Sequence, residues 1–226
     1  TIIQNFLPYQ ILKKEHKRKT QRKSITKTIR ENKTRKTLIN PKKTKSKSTS
    51  EKPKFALELK PHQTKVVDYM WKTDSRGVIL YHGLGSGKTI TSIAISQLYP
   101  QKKVIVVVPA SMRTQWKEEL TKMKSNMNNY KIFSYEGYDA AIKGKPDLVE
   151  GAIVILDEAH RVRNPGKTST VINRSLKDSD KVILLTGTPM VNTPLDMSSL
   201  INIIQGNKVM PVTDEQFEDH FMITKS

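Results

Sequence analysis

The sequence predicts an α/β protein with a parallel central sheet flanked by helices, preceded by a disordered basic tail. Three observations predict it. Beyond Lys54, short β-branched runs alternate with helical stretches, the pattern of βαβ units. Glycine-rich, acidic or hydroxyl-rich clusters follow those runs directly, at the places where a doubly wound sheet gathers its loops and helix N-termini. Charge also divides the chain: residues 1–54 hold 18 basic and 3 acidic side chains, a net of +15, whereas residues 55–226 hold 22 and 18, a net of +4.

The first segment, 1–54, has no glycine and few large apolar residues, so burial cannot offset backbone ordering at roughly 1–2 kcal/mol per residue. From Lys13 to Lys54 it repeats Lys, Arg, Thr and Ser without hydrophobic periodicity, broken by Pro41 and Pro53. A solvated solubility tail, a nuclear-targeting segment and an electrostatic arm for nucleic acid all fit that composition. The arm gains from counterion release at every Lys–phosphate contact. The folded segment, 55–226, has five strand candidates: Gly77–His82, Lys103–Val108, Lys131–Ser134, Ala152–Leu156 and Lys181–Leu185. Amphipathic helix candidates are Thr89–Leu98, Ser111–Met123, Thr168–Leu176 and Pro194–Ile204. Trp71 and Trp116 sit at helical spacing from Val67 and Met112, which favours core packing over base stacking.

Composition excludes several classes. With no cysteine there is no disulfide framework and no Cys-based zinc site. No apolar run approaches the roughly 18 residues a bilayer requires, so no membrane partner is expected. Thr1–Leu12 has no basic residues ahead of it and no small-residue cleavage site, unlike a secretory signal. An intracellular protein is expected.

The chemistry lies behind the strands. Gly83-Leu84-Gly85-Ser86-Gly87-Lys88-Thr89 follows the first strand and opens a helix, the context of a phosphate-cradling loop. Backbone N–H groups must approach a polyphosphate closely, which favours glycine, and a helix N-terminus adds unpaired donors and a positive dipole end. Lys88 then reaches the β and γ phosphates of ATP, and the Thr89 hydroxyl ligates Mg²⁺. Asp157 and Glu158 close the fourth strand. There Asp157 would hold the metal and Glu158 would orient and deprotonate the attacking water. Thr186-Gly187-Thr188-Pro189 ends the fifth strand 29 residues after Asp157 and brings two hydroxyls to the same edge. Thr186 or Thr188 near His160 would form a relay that senses the γ phosphate.

Taken in order, these segments resemble the first RecA-like lobe of a superfamily 2 helicase or translocase of the Swi/Snf-type branch, over residues 58–205. Leu59-Lys60-Pro61-His62-Gln63 resembles that family's adenine-reading segment, with Gln63 as reader. The GLGSGKT loop resembles motif I, and residues 104–120 and 134–138 resemble motif Ia and the motif after it. DEAHRVRN (157–164) and LLTGTPMVNTPLDMSSLINII (184–204) resemble motifs II and III with their extensions. The resemblance implies a DNA-dependent ATPase that moves along duplex DNA. It also implies nucleic-acid contacts from Ser111, Arg113, Ser134, Arg161 and Arg163.

Departures are informative too. His82-Gly83 stands where the branch commonly has an acidic pair before its loop glycines. This and the Lys/Asn/Ile-rich wording resemble ATPases of large DNA viruses, including poxvirus-like transcription factors, which would place the chain in a viral factory or virion rather than a nucleus. Nothing after Ile204 resembles the second lobe, whose arginines reach the γ phosphate, so efficient hydrolysis is expected only with such a lobe in cis or trans. The rival class is a basic nucleic-acid or protein dock with a vestigial nucleotide site. A P-loop nucleotide kinase is disfavoured because it has no use for DEAH and TGTP in this order.

Overall fold

The computed structural model describes residues 51–81, 83, 85–163, 166–188, 195–211 and 213–221. The basic segment up to residue 50, His82, Leu84 and residues 189–194 lie outside the described residues.

The chain alternates helix and strand. In order run α1 (Pro61–Lys72), β1 (Gly77–Tyr81), α2 (Lys88–Gln97), β2 (Val104–Val108), α3 (Arg113–Lys122), β3 (Tyr130–Ser134) and α4 (Tyr135–Gly144). They are followed by β4 (Ile153–Leu156), α5 (Lys167–Ser175), β5 (Lys181–Thr186), α6 (Leu195–Gln205) and α7 (Asp214–Phe221). Pro61 opens α1, where its fixed φ suits a first turn and its missing N–H costs nothing. The backbone N–H of Lys60 donates to Gln63 Oε1 at 2.8 Å, closing that helix start.

All strand pairs are parallel and the sheet order is β1-β5-β4-β2-β3. The register sets Tyr81 beside Thr186, Leu156 beside Leu184 and Val108 beside Ser134, so all five strands finish at one edge. Alternate strand residues enter two cores. Ile79, Val107, Val154, Leu156 and Leu184 pack with Tyr135, Tyr138, Ile172 and Leu200 of α4, α5 and α6 on one face. Leu80, Val106, Ile155, Ile183 and Leu185 pack with Val67, Ile93, Trp116 and Leu120 of α1, α2 and α3 on the other. Cover on both faces explains why the strands are apolar throughout instead of alternating.

The five expected strands are all present, each within a residue or so of its expected ends over the described residues. Three helices were not among the expected four: α1, of which only the Val67–Trp71 spacing gave a hint, and two that carry too little pattern. One is α4, which contains Gly137 and ends on Gly144. Its start is secured by Ser134, whose Oγ accepts the Gly137 N–H at 3.0 Å, and by burial of Tyr135 and Tyr138. The other is α7, largely polar and beyond the last strand. The expected helix 111–123 begins instead with a 3₁₀ turn, Ala110–Met112, and becomes α-helical at Arg113.

At the opposite end of the sheet Arg76 ties three elements together. Its guanidinium donates to the carbonyls of Ile203 and Ile204 in the last turn of α6, and to those of Leu176 and Ser179 after α5. The Leu176 carbonyl also accepts from Ser179 and that of Ile203 from the Gly206 N–H, so Arg76 adds a donor at each of two helix ends, where carbonyls run short of partners. Among the described residues no helix is long and apolar enough to cross a membrane.

Candidate nucleotide site

The loop between β1 and α2 has the backbone a phosphate cradle requires. Gly85 and Gly87 have φ of +71° and +81°, the left-handed region that side-chain-bearing residues avoid. At Gly87 a second constraint applies: a Cβ would lie 2.4 Å from Gln63 Nε2. The loop is braced from α1, because Gln63 Nε2 donates to Gly87 O at 3.1 Å and His62 Nε2 lies 3.1 Å from Ser86 O. Lys88 starts α2, and its Nζ donates across the loop to Gly83 O at 3.2 Å. Thr89 follows in the first turn. Gln63 is only 4% exposed, with its amide spanning the start of α1 and the loop. That bracing role is one the sequence did not suggest for it.

Asp157 directly follows β4 and is 3% exposed. Each carboxylate oxygen accepts one donor: Trp116 Nε1–H on Oδ2 at 2.8 Å and the Glu158 N–H on Oδ1 at 2.9 Å. Its main chain is also held, since Asp157 N–H donates to Val107 O at 2.9 Å and Tyr135 Oη–H donates to Asp157 O at 2.6 Å. Burial pushes the Asp157 carboxyl above its usual range, against the pull of the Trp116 and Glu158 donors and the Lys88 ammonium.

Glu158 takes φ +54° and ψ +47°, left-handed for a non-glycine residue, a conformation that costs on the order of 1–3 kcal/mol and gathers at functional sites. His160 Nδ1 lies 3.1 Å from Glu158 Oε2, at ion-pair distance though without hydrogen-bond alignment. Thr186 is fully buried, and its Oγ1 accepts the Thr188 N–H at 3.1 Å. The structure gives no bond between either threonine and His160. Arg163 links motif to motif instead: its Nη1 donates to Thr188 O at 3.4 Å and lies 3.6 Å from Asp196 Oδ2 on α6, with the side chain 11% exposed.

The remaining residues matched to nucleic acid scatter along one rim. Ser111 and Arg113 are exposed at the start of α3, and Arg161 is exposed with its guanidinium 5.6 Å from the Tyr135 ring centroid. Ser134 Oγ is engaged as the cap of α4.

Sequence reasoning missed the two side chains that hold Asp157, Trp116 and Tyr135. Helical spacing marks Trp116 as core, and it is fully buried, but spacing is silent about where an indole N–H points.

The residues present suit a triphosphate with Mg²⁺. Two glycines open the loop, a lysine and a helix start face it, and the buried carboxylate accepts only one donor per oxygen, leaving lone pairs for a cation.

Comparison with known proteins agrees. Residues 56–149 match the family "Type III restriction enzyme, res subunit", and residues 135–224 match the SNF2-related domain. A candidate ATP-dependent RNA helicase of Acanthamoeba polyphaga mimivirus is 33% identical over 165 residues, covering 72% of this chain and 36% of the relative. The early transcription factor 70 kDa subunit of fowlpox virus is 29% identical over 191 residues, covering 67% of this chain and 29% of the relative. The chain thus spans about a third of the length of these curated relatives. A Sulfolobus solfataricus SWI2/SNF2 ATPase core solved with dsDNA shares the fold, with TM-score 0.59 and 22% identity, covering 76% of this chain and 40% of that one. The two family matches and the viral helicase relative make the chain similar to superfamily 2 helicases of Swi/Snf type over residues 56–224, with the fold of a RecA-like lobe.

Proposed function

We propose that residues 55–226 bind Mg²⁺·ATP and form half of a DNA-dependent ATPase that steps along duplex DNA, working against a second RecA-like lobe supplied in cis or trans. One observation carries this reading: Lys88 opens the helix behind the glycine loop that follows β1, and the buried carboxylate of Asp157 directly follows β4, at the same edge of the sheet. The loop of residues 83–89, His82 and Leu84 included, wraps the phosphates with backbone N–H groups, and the Lys88 ammonium meets the β and γ oxygens. Gln63 reads the base with the part of its amide not used in bracing. Thr89 and Asp157 hold Mg²⁺, which when bound neutralises charge on the phosphates. Glu158 orients the water and takes its proton, and the left-handed turn at this residue sets its carboxylate apart from that of Asp157. His160, Thr186 and Thr188 report the state of the γ phosphate to the rest of the lobe.

Ser111, Arg113, Ser134 and Arg161 meet the phosphodiester backbone, so binding has little sequence preference. Arg163 is assigned to coupling rather than to phosphate, because its guanidinium is engaged inside the lobe. The work is intracellular, in a nucleus or in a viral factory. The DNA-containing Sulfolobus core and the viral transcription factors support this setting by likeness.

The test is steady-state hydrolysis with and without duplex DNA. The 226-residue chain should turn over slowly, and a second lobe should raise the rate by about 10³-fold or more, the scale of an arginine finger. Robust DNA-stimulated turnover by the chain alone would overturn the need for a partner lobe. Activity that survives Lys88→Ala would overturn the ATPase reading in favour of a docking module.

A further inference from the structure

Asp157 is gripped by two aromatic side chains that come from different segments. The Trp116 indole, one turn into α3, donates to Oδ2 at 2.8 Å, and the Tyr135 phenol, the first residue of α4, donates to the main-chain oxygen at 2.6 Å. Both rings are buried, Trp116 completely and Tyr135 to 3% exposure. The polar edges are not what fills the core: phenylalanine would bury nearly the same apolar surface as Tyr135, and an N–H adds nothing to the packing of the Trp116 rings. An indole N–H can only donate, so its bond fixes which oxygen of Asp157 is occupied and how the carboxylate plane is turned. With Oδ1 held by the Glu158 N–H, the carboxylate has one orientation in which to receive a cation. Groups that orient a metal-holding carboxylate in this way commonly set metal affinity by about 10–100-fold.

The two helices involved are also those whose starts carry the exposed polar rim. Arg113 opens α3 three residues before Trp116. Arg161 lies over the Tyr135 ring, and Ser134 caps α4 immediately before it. A displacement of either helix start therefore reaches Asp157 through a single hydrogen bond.

We propose that Trp116 and Tyr135 are positioning residues that aim the Asp157 carboxylate at Mg²⁺, and that through them the starts of α3 and α4 set how tightly the site takes the metal. This rests on the proposed Mg²⁺·ATP site and adds the elements that tune it. Engagement of the rim by a polyanion is thus felt at the metal without any contact between polyanion and nucleotide.

The test titrates Mg²⁺ into the full 226-residue chain with a fluorescent, non-hydrolysable ATP analogue. In Trp116→Phe the Mg²⁺ concentration for half-maximal nucleotide binding should rise about tenfold, while binding of the analogue in EDTA stays at the wild-type level. Tyr135→Phe should raise it about threefold, because its bond holds the Asp157 main chain and not the carboxylate itself. Trp71→Phe, which removes the other tryptophan, should leave it unchanged. A Trp116→Phe protein with wild-type Mg²⁺ dependence would overturn the inference. Absence of Mg²⁺-dependent nucleotide binding in the wild type would instead overturn the proposed site itself. Should Trp116→Phe fail to fold, Trp116 emission in the Trp71→Phe protein decides. It should change on adding Mg²⁺ to the nucleotide-bound chain and not on adding nucleotide in EDTA, and emission indifferent to Mg²⁺ would overturn the inference equally.

Discussion

At Asp157 and Glu158 two adjacent carboxylates have been given opposite surroundings. The first is buried and bonded on both oxygens; the second is partly exposed on a left-handed turn. That separation predicts separable losses. Glu158→Gln should lower hydrolysis about 10²–10⁴-fold in the two-lobed protein while nucleotide affinity stays within about twofold, because general-base loss strikes the chemical step alone. Single-turnover hydrolysis beside equilibrium binding checks it, and an equal loss in both would contradict it. The placement of Lys88, Asp157 and Glu158 behind their strands was legible in the sequence because a glycine-rich loop and an acidic pair directly follow apolar runs. The hydrogen bonds of Trp116 and Tyr135 were not legible, because periodicity reports burial and says nothing about the bearing of an N–H or O–H. Arg163 matched a nucleic-acid motif and turned inward, since Asp196 and the Thr188 carbonyl lie within its reach.

Among the elements, the loop and its brace from α1 act as one unit. Gly87→Ala combines a disfavoured φ with a Cβ set against the Gln63 amide, so it should disturb both the loop and the start of α1. Nucleotide affinity should fall at least tenfold, with a stability loss of about 1–3 kcal/mol by denaturant unfolding. Arg76→Met should cost about 2–4 kcal/mol in the same assay by removing a charged donor from carbonyls at two helix ends, with nucleotide affinity spared because the clasp lies at the other end of the sheet. A third prediction concerns α4 and α5. Burial pushes the Tyr138 phenol up to about 12, although its bond to Ser175 at 2.7 Å pulls the other way. The unfolded chain releases that proton from about pH 10, so between the two values the folded state binds more protons and stability falls as pH rises, at ~1.4 kcal/mol per unit. Tyr138→Phe should make the decline over pH 10–12 shallower by that amount, as read from unfolding curves. Strands were legible to within a residue or so because two-sided burial leaves continuous apolar runs. Helix α4 was hidden by its glycines, and only the Ser134 cap and the packing of its tyrosines reveal why it holds.

On the scale of the whole molecule the +19 charge is concentrated in the first 54 residues, while the lobe itself is nearly balanced. If the arm contacts nucleic acid, deleting residues 1–54 should flatten the dependence of log affinity for duplex DNA on log salt. Each lost phosphate contact lowers the slope by about 0.9. An unchanged slope would leave the segment a solubility tail. The sheet order places the phosphate loop behind the edge strand β1, with β5, which ends on Thr186, between β1 and the β4 strand that Asp157 follows. Strand order was beyond the sequence, which reveals which runs are strands and not which of them are neighbours. The most direct measurement is calorimetric titration of ATP into the 226-residue chain with and without Mg²⁺, for the wild type, Lys88→Ala and Asp157→Ala. One saturable, Mg²⁺-dependent site that weakens at least tenfold in both variants is the predicted result, and wild-type affinity in either variant would contradict a site shared by those two side chains.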